Sequence, residues 1–82
     1  MFQEALAAIK AGNKQRGKDL LTRLIKEDQE NAEYWLYMSA VVESEKERRY
    51  CLKQAIKLDP DSKMARRGLM LLGDLPIDER VS

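Results

Sequence analysis

Apolar residues recur along this chain three and four positions apart, and nowhere do they alternate with polar ones over a strand length. Only eight of its residues are β-branched. Both features commit the chain to helices. Phe2, Ala5, Leu6 and Ile9 form one apolar stripe. Gly12 stops that pattern, and Asn13 can cap the next helix. Leu20, Leu21, Leu24 and Ile25 share one side of this second helix, in which Gly17 is the small residue. Asn31 is a cap for a third helix, which carries Tyr34, Trp35, Met38, Val41 and Val42. Ser44-Glu45-Lys46-Glu47 reads as a capping box, so a fourth helix starts almost where the third ends. It buries Cys51, Leu52, Ala55, Ile56 and Leu58 until Pro60 ends the pattern. Asp61 or Ser62 caps a fifth helix, with Met64, Ala65, Leu69, Met70, Leu71 and Leu72, and Gly73 stops it.

The expected helices are 1–11, 14–28, 32–43, 45–58 and 62–73, folded back on one another as an antiparallel array. Residues 1–73 form the domain, and 74–82 a tail or linker around Pro76. The expected core is Leu21, Leu24, Ile25, Trp35, Met38, Val42, Leu52, Ala55, Ile56 and Leu69. The chain also repeats itself. A shift of 31 residues brings Leu21 onto Leu52, Leu24 onto Ala55, Ile25 onto Ile56, Asp28 onto Asp59 and Asn31 onto Ser62. The second and fourth helices are thereby equivalent, as are the third and fifth, so the unit is a helix pair.

Composition narrows the function. The 82 residues are 44% apolar and 35% charged, which suits one small folded domain. Net charge is +1, against a globally basic nucleic-acid binder. No apolar run approaches the roughly 20 residues of a membrane-spanning helix. No basic flank and apolar core of a signal peptide opens the chain, and Cys51 is a lone thiol, so a cytoplasmic location is expected. The absence of histidine and the single cysteine argue against a metal site or cofactor. The carboxylates Glu45 and Glu47 face apart at i, i+2, and the four glycines make no phosphate loop. No catalytic constellation is visible, and an enzyme is not expected.

Several segments resemble a known family. Asn31-Ala32-Glu33-Tyr34-Trp35 is a typical opening, and Ala55-Ile56-Lys57-Leu58-Asp59-Pro60-Asp61-Ser62 a typical ending, of a tetratricopeptide repeat. Ala11-Gly12-Asn13 resembles the turn inside the preceding repeat, and Gly17 its small crossing residue. Leu24-Ile25-Lys26-Glu27-Asp28 resembles that repeat's end, with Gln29 where proline is usual. Over residues 1 to about 73 the chain is similar to tetratricopeptide repeat proteins, with two helix pairs and a closing helix. It departs from them in its 31-residue spacing instead of roughly 34, in Arg48 at a crossing where a small residue is usual, and in the small inner face of its first helix at Glu4 and Ala8. The resemblance implies a right-handed array and a concave groove lined by Phe2, Leu6, Leu36, Tyr37, Ala40, Arg67 and Leu71. It implies a scaffold or adaptor that binds a peptide or helix there.

Other features carry competing readings. Trp35 lies on the buried stripe and is expected in the core instead of a ligand site. Cys51 is read as a small buried apolar residue, not a redox thiol. Lys10, Lys14, Arg16, Lys18, Arg23 and Lys26 face Asp19 alone over residues 10–26, which offers a basic patch for nucleic acid. No aromatic residue lies among them to stack a base, so a solvated face is preferred. Arg66 and Arg67 are adjacent and point about 100° apart, too far to clamp one carboxylate together. Leu69, Met70, Leu71 and Leu72 are consecutive and cover about 300° of a helix that has no following partner. They are expected to form an assembly edge that a second copy of the chain covers in a homodimer, the alternatives being the tail through Leu75 and Ile77 or a downstream domain.

Overall fold

The computed structural model describes residues 1–73. It holds five helices in order: α1 Phe2–Lys10, α2 Lys14–Glu27, α3 Ala32–Val41, α4 Glu45–Leu58 and α5 Lys63–Leu71. There is no strand among the described residues. α4 has the expected bounds, and the other four are one to three residues shorter in total than expected. The losses fall at helix ends, where orphaned backbone groups turn to cap bonds and leave helical geometry.

Short-range chemistry sets the turns. After α1, the Asn13 amide donates to the Ala8 carbonyl at 2.8 Å and the Gly12 amide to the Ile9 carbonyl at 3.0 Å. These are the two bonds of a Schellman turn, and Gly12 takes the left-handed φ of 84° that the turn requires. The Asn13 side chain then accepts the Arg16 amide at 3.2 Å, so one residue closes α1 and opens α2. The two repeat-related turns are built alike. Asp28 Oδ1 accepts the Glu30 amide at 3.1 Å, and Asp59 Oδ1 accepts the Asp61 amide at 3.1 Å. The caps after these turns are Asn31, accepting from Glu33 at 3.0 Å, and Ser62, accepting from Ala65 at 3.3 Å. The internal repeat is therefore a repeat of turn geometry. Between α3 and α4, Ser44 Oγ accepts the Glu47 amide at 3.2 Å, the hydroxyl half of the capping box.

These turns lay each helix against the next, α1 on α2, α2 on α3, α3 on α4 and α4 on α5. The molecule is correspondingly elongated, 39 × 23 × 19 Å. Burial divides into two clusters. The larger holds Ala5, Leu20, Leu21, Leu24, Ile25, Met38, Val41, Val42 and Cys51. The smaller holds Leu52, Ala55, Ala65 and Leu69. Trp35 packs against both. The sequence places Trp35 and Ile56 in the core, but both are only half-buried. In a stack this thin, a large side chain at the junction of two clusters reaches from the interior to the surface.

Two glycines mark close helix crossings. A Cβ on Gly17 would meet Ile9 Cγ1 at 2.9 Å, so α2 can approach α1 only with a small residue there. A Cβ on Gly68 would meet Leu52 Cδ1 at 2.8 Å, the corresponding contact of α5 with α4. Arg48, which stands where the family resemblance expects a small residue, instead reaches to the end of α3. Its Nε donates to the Ser39 carbonyl at 3.2 Å and its Nη2 to the Val42 carbonyl at 3.5 Å. The last turn of α3 has no basic residue of its own, so Arg48 supplies the cation that its carbonyls favour. Arg49 does the same for α5, donating to the Leu72 carbonyl at 3.4 Å while it pairs with Glu45 at 3.0 Å.

The Gly68 crossing sets two effects of opposite sign. Alanine there gains about 1 kcal/mol of helix propensity, and overpacking costs about 1–3 kcal/mol. Leu52 is almost wholly buried and has little room to swing aside. Gly68→Ala should therefore destabilise the domain by about 1 kcal/mol in urea unfolding, and in a Leu52→Val background the loss should vanish. An unchanged or raised stability for Gly68→Ala alone would mean that α4 and α5 do not meet at this point.

Candidate functional site

The expected groove residues fall into separate places. Asn31 starts α3 so that Tyr34 and Tyr37, one turn apart, face the beginning of α1. The Phe2 ring sits between them, 5.2 Å from Tyr34 at 52° and 5.7 Å from Tyr37 at 69°. Such tilted and edge-on pairs add to stability beyond the area they bury. Beside this cluster, Gln3, Leu6, Ala7, Ile9 and Lys10 of α1 and Tyr37 of α3 line an open cleft of about 440 Å³. The structure thus brings Phe2, Leu6 and Tyr37 together.

It does not bring the other four into this cleft. Leu36 packs against the smaller cluster, beside Leu52, Ala55, Ala65 and Leu69. Ala40 and Arg67 are exposed, and Leu71 is 82% exposed. The cleft that exists has apolar walls with one amide and one ammonium, Gln3 and Lys10. It has the chemistry to take an apolar side chain and to attract a carboxylate.

The consecutive apolar residues of α5 divide by face. Leu69 is buried and Leu72 packs on the smaller cluster, so both belong to the contact with α4. Met70 and Leu71 point away, 37% and 82% exposed, and Met64 joins them at 65%. Leu75 and Ile77 lie outside the described residues.

The basic segment does not form one patch. Lys10 lines the cleft beside Tyr37, Lys18 lines a second cleft between α2 and α4, and Arg16 and Arg23 line a third of about 350 Å³ with Asp19. Arg16 also pairs with Glu4 at 3.5 Å. A helix that carries charge at seven positions spreads it around its circumference.

Trp35 and Cys51 meet in the cleft between α2 and α4. The indole N–H donates to the Gln29 carbonyl at 2.9 Å, and the ring stands edge-on to Tyr50 at 5.8 Å and 73°. Tyr50 is 56% exposed. Sequence reading missed this pair. The signal was Tyr50 itself, a large aromatic residue off the apolar stripe of α4. Cys51 is buried, and burial pushes its thiol up from 9.0 to about 11, with Glu47 adding to the shift. The two arginines near it in sequence are turned to helix ends and do not lower it. No group of three or more metal-ligating side chains occurs among the described residues. Nor is any of their helices long and apolar enough to cross a membrane.

No protein-family model matches this chain, and neither does any curated protein or solved structure.

The Cys51 thiol sets a pH dependence. With the folded pKa raised, protonated Cys51 contributes stability below pH 9.0, and that contribution is lost as pH rises from 9.0 toward about 11. At pH 8 the thiolate is the reactive form, and burial makes it scarcer in the folded protein than in the unfolded chain. Iodoacetamide should therefore label the native protein at least about tenfold more slowly than the protein in concentrated urea. Equal rates would show that Cys51 is accessible and ionisable.

Proposed function

We propose that this chain is a non-catalytic protein-interaction module, a tetratricopeptide-like array of helix pairs that binds a peptide or helix along the faces of α1 and α3. The observation that carries the reading is the cleft beside Tyr37, with Leu6 and Lys10 on its opposite wall. An apolar floor with a cationic edge suits an amphipathic segment, whose apolar anchors enter the cleft while its acidic residues meet Lys10. The identical Asx turns after α2 and α4 support the helix-pair reading, because they repeat the same change of direction after equivalent helices. Arg49 adds to it by joining the start of α4 to the end of α5, as antiparallel neighbours require.

The nucleic-acid reading is disfavoured because Lys10, Lys18 and the pair Arg16 and Arg23 line three different clefts. The self-assembly reading has a specific observation in its favour, the outward face of Met70 and Leu71 on the last described helix. Contiguous exposed apolar patches mark contact surfaces.

Pull-down followed by titration of the captured partner tests the groove. Leu6→Lys with Tyr37→Ala should weaken binding by about tenfold or more, with helicity by circular dichroism unchanged. Undiminished binding by that double variant would remove the α1–α3 cleft as the site. For the second reading, sedimentation should show a dimer that Met70→Lys with Leu71→Lys converts to monomer without loss of helix. A monomeric native chain at high micromolar concentration would dispose of it.

A further inference from the structure

The cleft between α2 and α4 is separate from the one beside Tyr37 and shares no lining residue with it. α3 forms its floor with Trp35 and Met38, joined by Val42 just after the helix. α2 contributes Lys18 to one wall, and α4 contributes Lys46, Glu47 and Tyr50 to the other. Its volume of about 440 Å³ lies in the range of ligand sites and leaves room for a large side chain with its neighbours.

Three features say what this cleft lacks. The Trp35 indole N–H is already bonded to the Gln29 carbonyl, so the half-buried ring has only apolar surface left to satisfy. Tyr50 extends that surface from the opposite wall and is itself 56% exposed. Together the exposed Tyr50 ring and the uncovered part of Trp35 offer a surface on which an apolar side chain can anchor. The third feature is charge. Lys18 and Lys46 make no ion pair among the described residues, and they outnumber Glu47 on the cleft walls. The neighbouring arginines of α4 are engaged at the ends of α3 and α5, leaving the lysines as the cations this cleft presents.

We propose that the α2–α4 cleft is a second binding site, for an acidic peptide segment that places one large apolar side chain against Trp35 and Tyr50 and its carboxylates beside Lys18 and Lys46. A nucleic acid fits less well. The two rings stand at 73° to one another and do not offer parallel platforms for successive bases.

The chain has a single tryptophan, so its emission reports this cleft. Random dodecapeptides selected on the immobilised full chain should enrich sequences with a Leu, Phe or Trp flanked by Asp or Glu. The enriched peptides should shift the Trp35 emission and lose affinity as salt rises. Tyr50→Ala should weaken them by about tenfold or more, and Lys18→Glu with Lys46→Glu by a similar factor, whereas Tyr37→Ala should leave them unchanged. All these positions are at least partly exposed, and circular dichroism checks each variant's fold. The proposal is overturned if no peptide is enriched, if the enriched sequences are not acidic, or if they bind the lysine double variant as tightly as the native chain. A single-stranded oligonucleotide that binds more tightly than the peptides and is lost with Tyr50→Ala would overturn it in favour of nucleic acid.

Discussion

The half-buried ring of Trp35 joins two cores that are each too small to stand alone. The larger cluster draws on α1 to α4, and the smaller on α4 and α5. Helices this short are marginal in isolation and are held by packing of their apolar faces. α5 has only nine residues and buries two of them, Ala65 and Leu69. Its attachment therefore depends on Leu52 and Ala55 beneath it and on Trp35 tying that layer to the larger cluster. The bond from the indole N–H to the Gln29 carbonyl fixes the ring against the turn that precedes α3. One side chain thus couples the turn after α2 to the packing of α5.

The same thinness explains how the helix ends are managed. In a stack without a deep interior, each helix terminus lies near the side of its neighbour. Arg48 and Arg49 stand about 100° apart on α4, and each reaches the C-terminal carbonyls of a different helix, α3 and α5. The angular separation that prevents adjacent arginines from clamping one anion allows them to serve two helix ends. A small residue at Arg48 would leave α3 without a cation at its last turn. This chain thus meets the short α3–α4 connection with a long polar side chain.

Functionally, the cleft beside Tyr37 and the cleft between α2 and α4 share α3 and have a common character. Each has an aromatic residue that the core did not absorb, and each has at least one lysine at its edge. One is lined by α1 and α3, the other by α2, α3 and α4. α3 serves both because its apolar residues run almost all the way round, with Tyr37 on one side and Trp35 on the other. A helix of that kind is normally buried. Among the described residues α3 is not fully covered, and its uncovered parts become the candidate sites.

Much of the local structure was legible in the sequence because it depends on neighbours in the chain. Asn13, Asn31, Ser44 and Ser62 accept amides two or three residues away, and Gly12 takes the left-handed φ that ends α1, so all five do in the structure what their residue types dictate. The 31-residue repeat was legible for the same reason, since Asp28 and Asp59 each bond an amide two positions on. The buried stripe of α2 comes from helical period alone. What period cannot give is how far each stripe is covered, because coverage depends on neighbouring helices distant in sequence. That is why Trp35 and Ile56 proved half-buried, and why Leu69 and Met70 fell on opposite sides of one exposure boundary. Gly68 looked like one of four scattered glycines until the approach of Leu52 gave it a role. The pairing of Tyr50 with Trp35, and the placing of Lys18 beside them, likewise depend on how α2, α3 and α4 lie together. Turns and caps were set by contacts a few residues apart; the clefts were set by packing between helices, which only the tertiary structure supplies.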